Sequence, residues 1–398
     1  MTADSAPPPN GEKSEDQPSC ERRPSIDIAV LAGDGIGPEV ISAAEDVMEA
    51  VSARTPLGVG LRPRHVDYDA DVYLKTGRLF DDALREELLS SQLILFGALG
   101  DPRVAPGILE RGIILAMRTA FDQAVNVRPV RLYSGVESPV RGVNAENCDL
   151  VFIRENLEGA YTGGGSTTHR GTGHEVALQE SVNTEPVIRR ATRYALGLAS
   201  RRRGHLTLCH KTNILTAAGD LWWRVLQDEA RHFNDVDIDQ VNADAMCLHL
   251  PYDPGRFDVV LTDNLFGDIL TDLGAMVQGG IGLSASANLN LEGTAPSMVE
   301  GVHGSAPDIA GRGWASPFAT ILSLAMGLAS LGHTEAGIAI ESAVAAELSG
   351  GVPISGVGLP GGTAGAAERI ADRIADGTAA PVPHSLLTAL TPSHSSMG

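Results

Sequence analysis

One stretch, residues 257–276, FDVVLTDNLFGDILTDLGAM, limits the possible folds of this chain most tightly. Residues 257–261 are a short apolar, β-branched run, the composition of a buried strand. A turn follows over 262–267, and then Ile269, Leu270, Leu273 and Met276 recur at helical spacing. This strand-turn-helix grammar recurs along the chain. Strands are expected at 26–32, 93–96, 149–153 and 206–209, and helices from Pro38 to about Ala53 and at 110–124, 186–202, 217–233, 318–331, 335–348 and 364–374. Strands that alternate with helices over 398 residues predict an α/β class with two or three domain-sized units. Residues 175–182 alternate and predict one strand of a protruding hairpin.

Charge and cysteine content remove several functions. A net charge of −20 opposes binding to nucleic acid or to a membrane surface, both of which select basic patches. No apolar run reaches a membrane span, and no secretory signal pattern opens the chain. Cys20, Cys148, Cys209 and Cys247 form no CxxC pair, so they predict reduced thiols of a cytoplasmic protein rather than a zinc site. Residues 1–25, rich in Pro, Ser, Glu and Asp, are expected to be disordered, and residues 379–398 to form a frayed tail.

The polar residues that carry chemistry cluster just after strands, where open α/β sheets hold ligands. Asp268 and Asp272 lie four residues apart on one helix face, with Cβ atoms about 5–6 Å apart. Such a pair suits a hard divalent cation, Mg²⁺ or Mn²⁺, or simply a solvated acidic helix start. Arg118, Arg128 and Arg154 end apolar elements, and three guanidinium groups so placed predict a pocket for carboxylates. The turn GDGIGPE at 33–39 looks like a dinucleotide fingerprint but is not one. The last glycine that G-x-G-x-x-G requires is Pro38 or Val40 here, so a plain tight turn is an equal reading.

Eight ordered motifs make the chain resemble a known family. GDGIGPEV, ERGIILAMR, NVRP, IREN followed by EGAYTG, HKTN, DAM, TDNLFGDILTDL and HGSAPDIAG follow one another between residues 26 and 374. The pattern is similar to the β-decarboxylating dehydrogenases of isocitrate, isopropylmalate, homoisocitrate and tartrate. The resemblance implies a fold that is not a Rossmann fold: two α/β domains sharing a large mixed sheet. The first, cofactor-binding domain would take residues 26–124 and 282–378, and the second 125–281. It also implies a homodimer with shared active sites, clasped by the hairpin near 163–182. By the same resemblance, Arg118, Arg128 and Arg154 hold the carboxylates of a 2-hydroxy acid. Asp268 and Asp272 bind the metal, joined by Asp244 of a second copy. Tyr161 and Lys211 are the acid-base pair, with Lys211 also from the second copy. Asn213, His303, Gly304, Ser305, Ala306, Asp308 and Ser316 would contact the dinucleotide.

Two segments bear on specificity. Ile113, Ile114, Leu115 and Met117 precede Arg118, and an apolar wall there suits an isopropyl substituent better than the extra carboxylate of isocitrate. Arg111 reverses that preference if it points inward. Asp308 can accept from a ribose diol and repel a 2′-phosphate, which predicts NAD over NADP; an ion pair with Arg312 would still leave its oxygens able to accept from the ribose. Ala160 and Gly301 stand where relatives commonly carry proline, and Ser316 where they often carry Asn. These departures leave open a paralogue acting on another 3-substituted malate, tartrate, isocitrate or homoisocitrate.

Overall fold

The computed structural model describes residues 24–354 and 357–390. The expected disorder of residues 1–25 lies almost wholly outside them. The chain runs β1 Ser25–Gly33, α1 Gly37–Ala53, β2 Gly60–His65, α2 Ala70–Thr76, α3 Asp82–Leu89 and β3 Leu93–Ala98. Then come α4 Ala116–Ala120, β4 Val125–Arg131, β5 Asp149–Glu155, β6 Gly165–Thr168, β7 Val176–Gln179, α5 Glu185–Ser200 and β8 His205–His210. The middle continues with α6 Thr216–Ala230, β9 Asp237–Asn242, α7 Ala243–Tyr252, β10 Val259–Thr262 and α8 Asn264–Val277. Last are β11 Ala285–Leu289, β12 Ser297–Gly301, α9 Phe318–Ser330, α10 Thr334–Leu348, α11 Gly362–Asp376 and α12 Leu387–Leu390.

Ten strands form one sheet in the order β2-β1-β3-β12-β11-β4-β5-β10-β8-β9. The outer pairings are parallel, while β12–β11, β11–β4 and β4–β5 are antiparallel, so the sheet is mixed as expected. The β11–β4 seam joins strands from the two ends of the chain to strands from its middle. The domain boundaries at 124/125 and 281/282, which flank that seam, are our proposal. Helix α9 is buried along nearly its whole length, which explains why it is apolar all round rather than amphipathic. Strands β6 and β7 pair as the expected hairpin, with every residue exposed.

The structure corrects four sequence expectations. The turn over 262–267 is shorter, because the Asp263 side chain accepts from the Phe266 amide at 2.8 Å and starts α8 at Asn264. The helix expected at 110–124 is a π-turn at Glu110–Leu115 followed by the short α4. The helix ends at Ala120 and the chain turns at Asp122, where φ is 46°, before entering β4. Strands β2, β4, β9, β11 and β12 and helices α2, α3 and α7 were not anticipated. Finally, residues 385–390 are no frayed tail: Leu386, Leu387 and Leu390 are buried in the main core, and Ser385 donates to buried Glu341. Residues 391–398 lie outside the described part.

Candidate active site

The β-period places one polar row across the centre of the sheet. Arg154 on β5 stands opposite Asn126 on β4, which stands opposite Asn288 on β11. Arg128 shares the face of Asn126, and Glu300 on β12 that of Ser286 and Asn288. All six are buried, so each polar atom needs a partner. Arg128 Nε donates to Asn126 Oδ1 at 2.7 Å and Nη1 to Thr271 Oγ1 at 2.6 Å. Asn126 donates to Ser286 and Asn288, and Asn288 donates to Glu300 Oε1 at 2.9 Å. Arg118, from α4, pairs with the same Glu300 oxygen at 3.2 Å. Its Nε is buried with no hydrogen-bond partner. An orphaned guanidinium donor costs roughly 1–3 kcal/mol until an acceptor reaches it. Burial, then the neighbouring Arg154, pulls Arg128 down to about 10, while Arg118 is also lowered, chiefly by burial. A bound anion is the group that relieves such a cluster.

Helix α8 brings the carboxylates. Arg154 donates to Asn264 Oδ1 through Nε at 3.0 Å and Nη2 at 2.7 Å, and pairs with Asp268. This requires Gly267: a Cβ there would lie 2.6 Å from Arg154 Cγ. Tyr161 donates to Asp268 Oδ2 at 2.9 Å, with Arg154 5.2 Å from its ring centre. Burial first, and then Asp268, raises the Tyr161 phenol, so it stays protonated. Burial works to raise Asp268, but Arg154 and Arg128 outweigh it and hold the carboxyl below its ordinary range. Asp272 is raised, first by burial, with Asp268 adding to it against the arginines.

Lys211 at the end of β8 pairs with Asp244 at the start of α7, 2.7 Å apart. Among the described residues, neither bonds to Asp268, Asp272 or Tyr161 of the same chain. No group of three His, Cys, Asp or Glu side chains converges there either. One chain therefore assembles two aspartates of the expected metal set and leaves the third elsewhere. Asn213, two residues beyond Lys211, is exposed.

The loop after β12 holds the other expected contacts. Gly304, Pro307 and Asp308 are exposed, Ser305 is buried, and Ala306 takes a left-handed φ of 39°. The His303 imidazole is lowered by burial and lies 3.4 Å from Thr320 Oγ1. Asp308 has no hydrogen bond or ion pair among the described residues. Arg312 does not neutralise it but lies over the Trp314 ring, 5.1 Å from its centre. Ser316 Oγ donates to the Gly282 carbonyl at 2.9 Å, which commits its only proton to the fold. A cleft of about 330 Å³ separates this loop from residues 100–110, with Gly100, Asp101, Leu109, Glu110, Ser305 and Pro307 in its walls.

The sequence profile of isocitrate/isopropylmalate dehydrogenase matches residues 27–360. The chain belongs to this dehydrogenase family. It is 50% identical over 322 residues to the 3-isopropylmalate dehydrogenase of Mycolicibacterium vanbaalenii, covering 81% of this chain and 94% of that one. The same-named protein of Thermobifida fusca is 49% identical over 325 residues, covering 81% and 91%. Among solved structures, isocitrate dehydrogenase from Methylococcus capsulatus superposes with a TM-score of 0.78 at 34% identity, covering 88% of this chain and 99% of that one.

Several residues around the arginines escaped sequence reasoning. Asn126, Asn264, Asn288 and Glu300 complete the arginine network; Asn126 and Asn264 lie inside the quoted motifs NVRP and TDNLFGDILTDL, yet neither they nor Asn288 and Glu300 were given a role. Two signals were available: Asn126 lies one β-period before Arg128, and Glu300 is a lone carboxylate in an apolar strand.

Proposed function

We propose that this protein is a cytoplasmic 3-isopropylmalate dehydrogenase of leucine biosynthesis. It would carry out NAD-dependent oxidative decarboxylation of 3-isopropylmalate to 2-oxo-4-methylpentanoate (2-oxoisocaproate). The observation that carries this reading is the buried Arg118–Arg128–Arg154 cluster with its unpartnered Arg118 Nε, set beside Tyr161 and the α8 aspartates. Support for the substrate comes from the relatives named above and from the π-turn. There Ile113 is buried, Ile114 and Leu115 are half-buried beside Arg118, and Arg111 is exposed. The wall offers an isopropyl group about 0.8 kcal/mol per buried CH₂ and gives a third carboxylate no partner.

The donor set fits a divalent cation, because Asp272 and Asp268 crowd two carboxylates onto one helix turn. Asp268, Asp272 and Asp244 of a second copy would hold Mg²⁺ or Mn²⁺, and residues 303–308 with Asn213 the dinucleotide. When bound, the cation supplies charge stabilisation for developing oxyanions, and NAD supplies the hydride acceptor. The arginines bind and orient the substrate carboxylates. Lys211 of a second copy removes the C2 hydroxyl proton, and Tyr161 returns a proton to C3 after CO₂ leaves. The exposed Asp308 carboxylate would accept from the adenosine ribose, and Ser316, whose proton goes to the Gly282 carbonyl, would meet the dinucleotide only as an acceptor.

A homodimer follows from the same reading, with support from exposed Leu248 and Tyr252 on α7 and Ile269 and Met276 on α8. Among the described residues no helix is long and apolar enough to cross a membrane.

The test is absorbance at 340 nm with Mn²⁺ and a panel of hydroxy acids and both dinucleotides. The expected result is kcat/KM highest for 3-isopropylmalate with NAD, by at least roughly tenfold over isocitrate and over NADP. Comparable values for isocitrate would sink the apolar wall, and comparable values for NADP would sink the role of Asp308.

A further inference from the structure

The turn Gly33–Gly37 and the first turn of α1 take no part in the chemistry above, yet several of their polar groups are committed to neighbouring loops. The Asp34 carboxylate accepts from the Ala70 and Gly100 amides, each at 2.9 Å, and the Asp34 amide donates to Ala98 at 2.8 Å. The Ile36 amide donates to the Ser305 carbonyl at 2.8 Å. The contact is close enough that a Cβ on Gly35, whose φ is +60°, would lie 1.9 Å from that carbonyl. Glu39 reaches the far end of the same loop. Its carboxylate accepts from the Ala315 amide at 2.8 Å and the Gly313 amide at 3.3 Å, and from Thr363 Oγ1 at the start of α11. The loop from 303 to 315 is thus gripped near both ends by one turn and one helix start. Between the grips, Ala306 holds a backbone conformation that persists only where its surroundings enforce it.

We propose that Glu39 is a positioning residue for dinucleotide binding, through its hold on the Gly313 and Ala315 amides opposite the Ile36–Ser305 contact. The proposal rests on residues 303–308 being the dinucleotide loop. Without the Glu39 carboxylate the two amides lose their acceptor, that of Ala315 in a buried position, and the loop spends less time in the competent conformation. The apparent dissociation constant rises by that lost fraction, while groups on the central sheet and α8 stay in place.

The test measures NAD binding by titration calorimetry, without hydroxy acid, on the wild type, Glu39→Ala, Glu39→Gln and Ile41→Val. Ile41 is a core residue of the same helix, and its truncation controls for general loosening. Glu39→Ala should weaken NAD binding roughly tenfold, and Glu39→Gln should recover part of that, because its amide oxygen still accepts. The KM for 3-isopropylmalate at saturating NAD should be the same in all four. Ile41→Val should lower the melting temperature without changing the dissociation constant. An unchanged constant in Glu39→Ala, or an equal loss in Ile41→Val, overturns the proposal. Should Glu39→Ala not fold, the same criterion applies to Glu39→Gln. A wild type that binds neither NAD nor NADP overturns the loop reading itself, and this proposal with it.

Discussion

Glu155 follows Arg154 on β5 and faces away from the arginine cluster into a second buried polar group. Burial above all pushes its carboxyl up to about 7, opposed by hydrogen bonds from the Leu157 and Glu158 amides and assisted by the Glu158 and Asp263 charges. Asp263 is moved the same way, to about 6, again mainly by burial. His210, 3.8 Å from Asp263, is held down at about 4 by burial, so it is neutral and offers no compensating charge. A carboxyl raised above its ordinary value of 4.5 keeps its proton in the folded state after the unfolded chain has released it. The stability linked to that proton is complete below about 4.5 and is lost as pH rises through about 7. Glu155→Gln should therefore flatten the fall in unfolding free energy between about pH 5 and pH 8 by roughly 2–3 kcal/mol. Denaturant titrations across that range check it; an unaltered slope would assign the pH dependence to other groups.

At the scale of elements, α8 does most to shape the site, because it presents Asn264, Asp268, Thr271 and Asp272 to strands β4 and β5. Its approach to β5 depends on the bare backbone of Gly267 beneath the Arg154 stem. Gly267→Ala should favour the isolated helix yet overpack this contact, destabilising the protein by roughly 1–3 kcal/mol. It should also displace Arg154 from Asp268 and lower kcat/KM by at least about tenfold. Thermal melts and steady-state kinetics on one preparation check both outcomes. A variant of wild-type activity would show that the stem has room to move. The π-turn before Arg118 is a second such element. Its sequence, ERGIIL, has ordinary helical spacing, and packing of Ile113 and Met117 into the core beside β3 accompanies the wider turn.

For the whole molecule, the decisive question is where Lys211 and Asp244 act. In one chain they satisfy each other, and the exposed apolar residues of α7 and α8 lie on the same half of the sheet. A shared site predicts complementation. Mixing Lys211→Ala with Arg118→Ala, each inactive alone, should restore up to about a quarter of wild-type activity after random subunit exchange, because one of the two sites in a heterodimer is intact. Co-purification of one untagged variant with the other carrying an affinity tag confirms the exchange, and light scattering confirms the dimer. Zero recovered activity with exchange confirmed would mean that each site is built within one chain.

The sequence by itself determined the alternation of strands and helices, the Asp268–Asp272 spacing and the strand-end arginines. These are local: they follow from backbone periods of 2 and 3.6 and from which residues can be buried. The family motifs extended that reading to Tyr161, Lys211 and Asp244. Tertiary structure alone decided which groups pair. Glu300 meets Arg118 across 182 positions, and Asn264 meets Arg154 across 110, separations that carry no periodic signal. The same holds for the C-terminal segment. Its Pro, Ala and Thr content predicts fraying, yet Arg131 and Glu341 supply partners and the core supplies a surface for Leu387. A segment's own composition sets only the cost of ordering it; the gain comes from the surface that the rest of the chain presents.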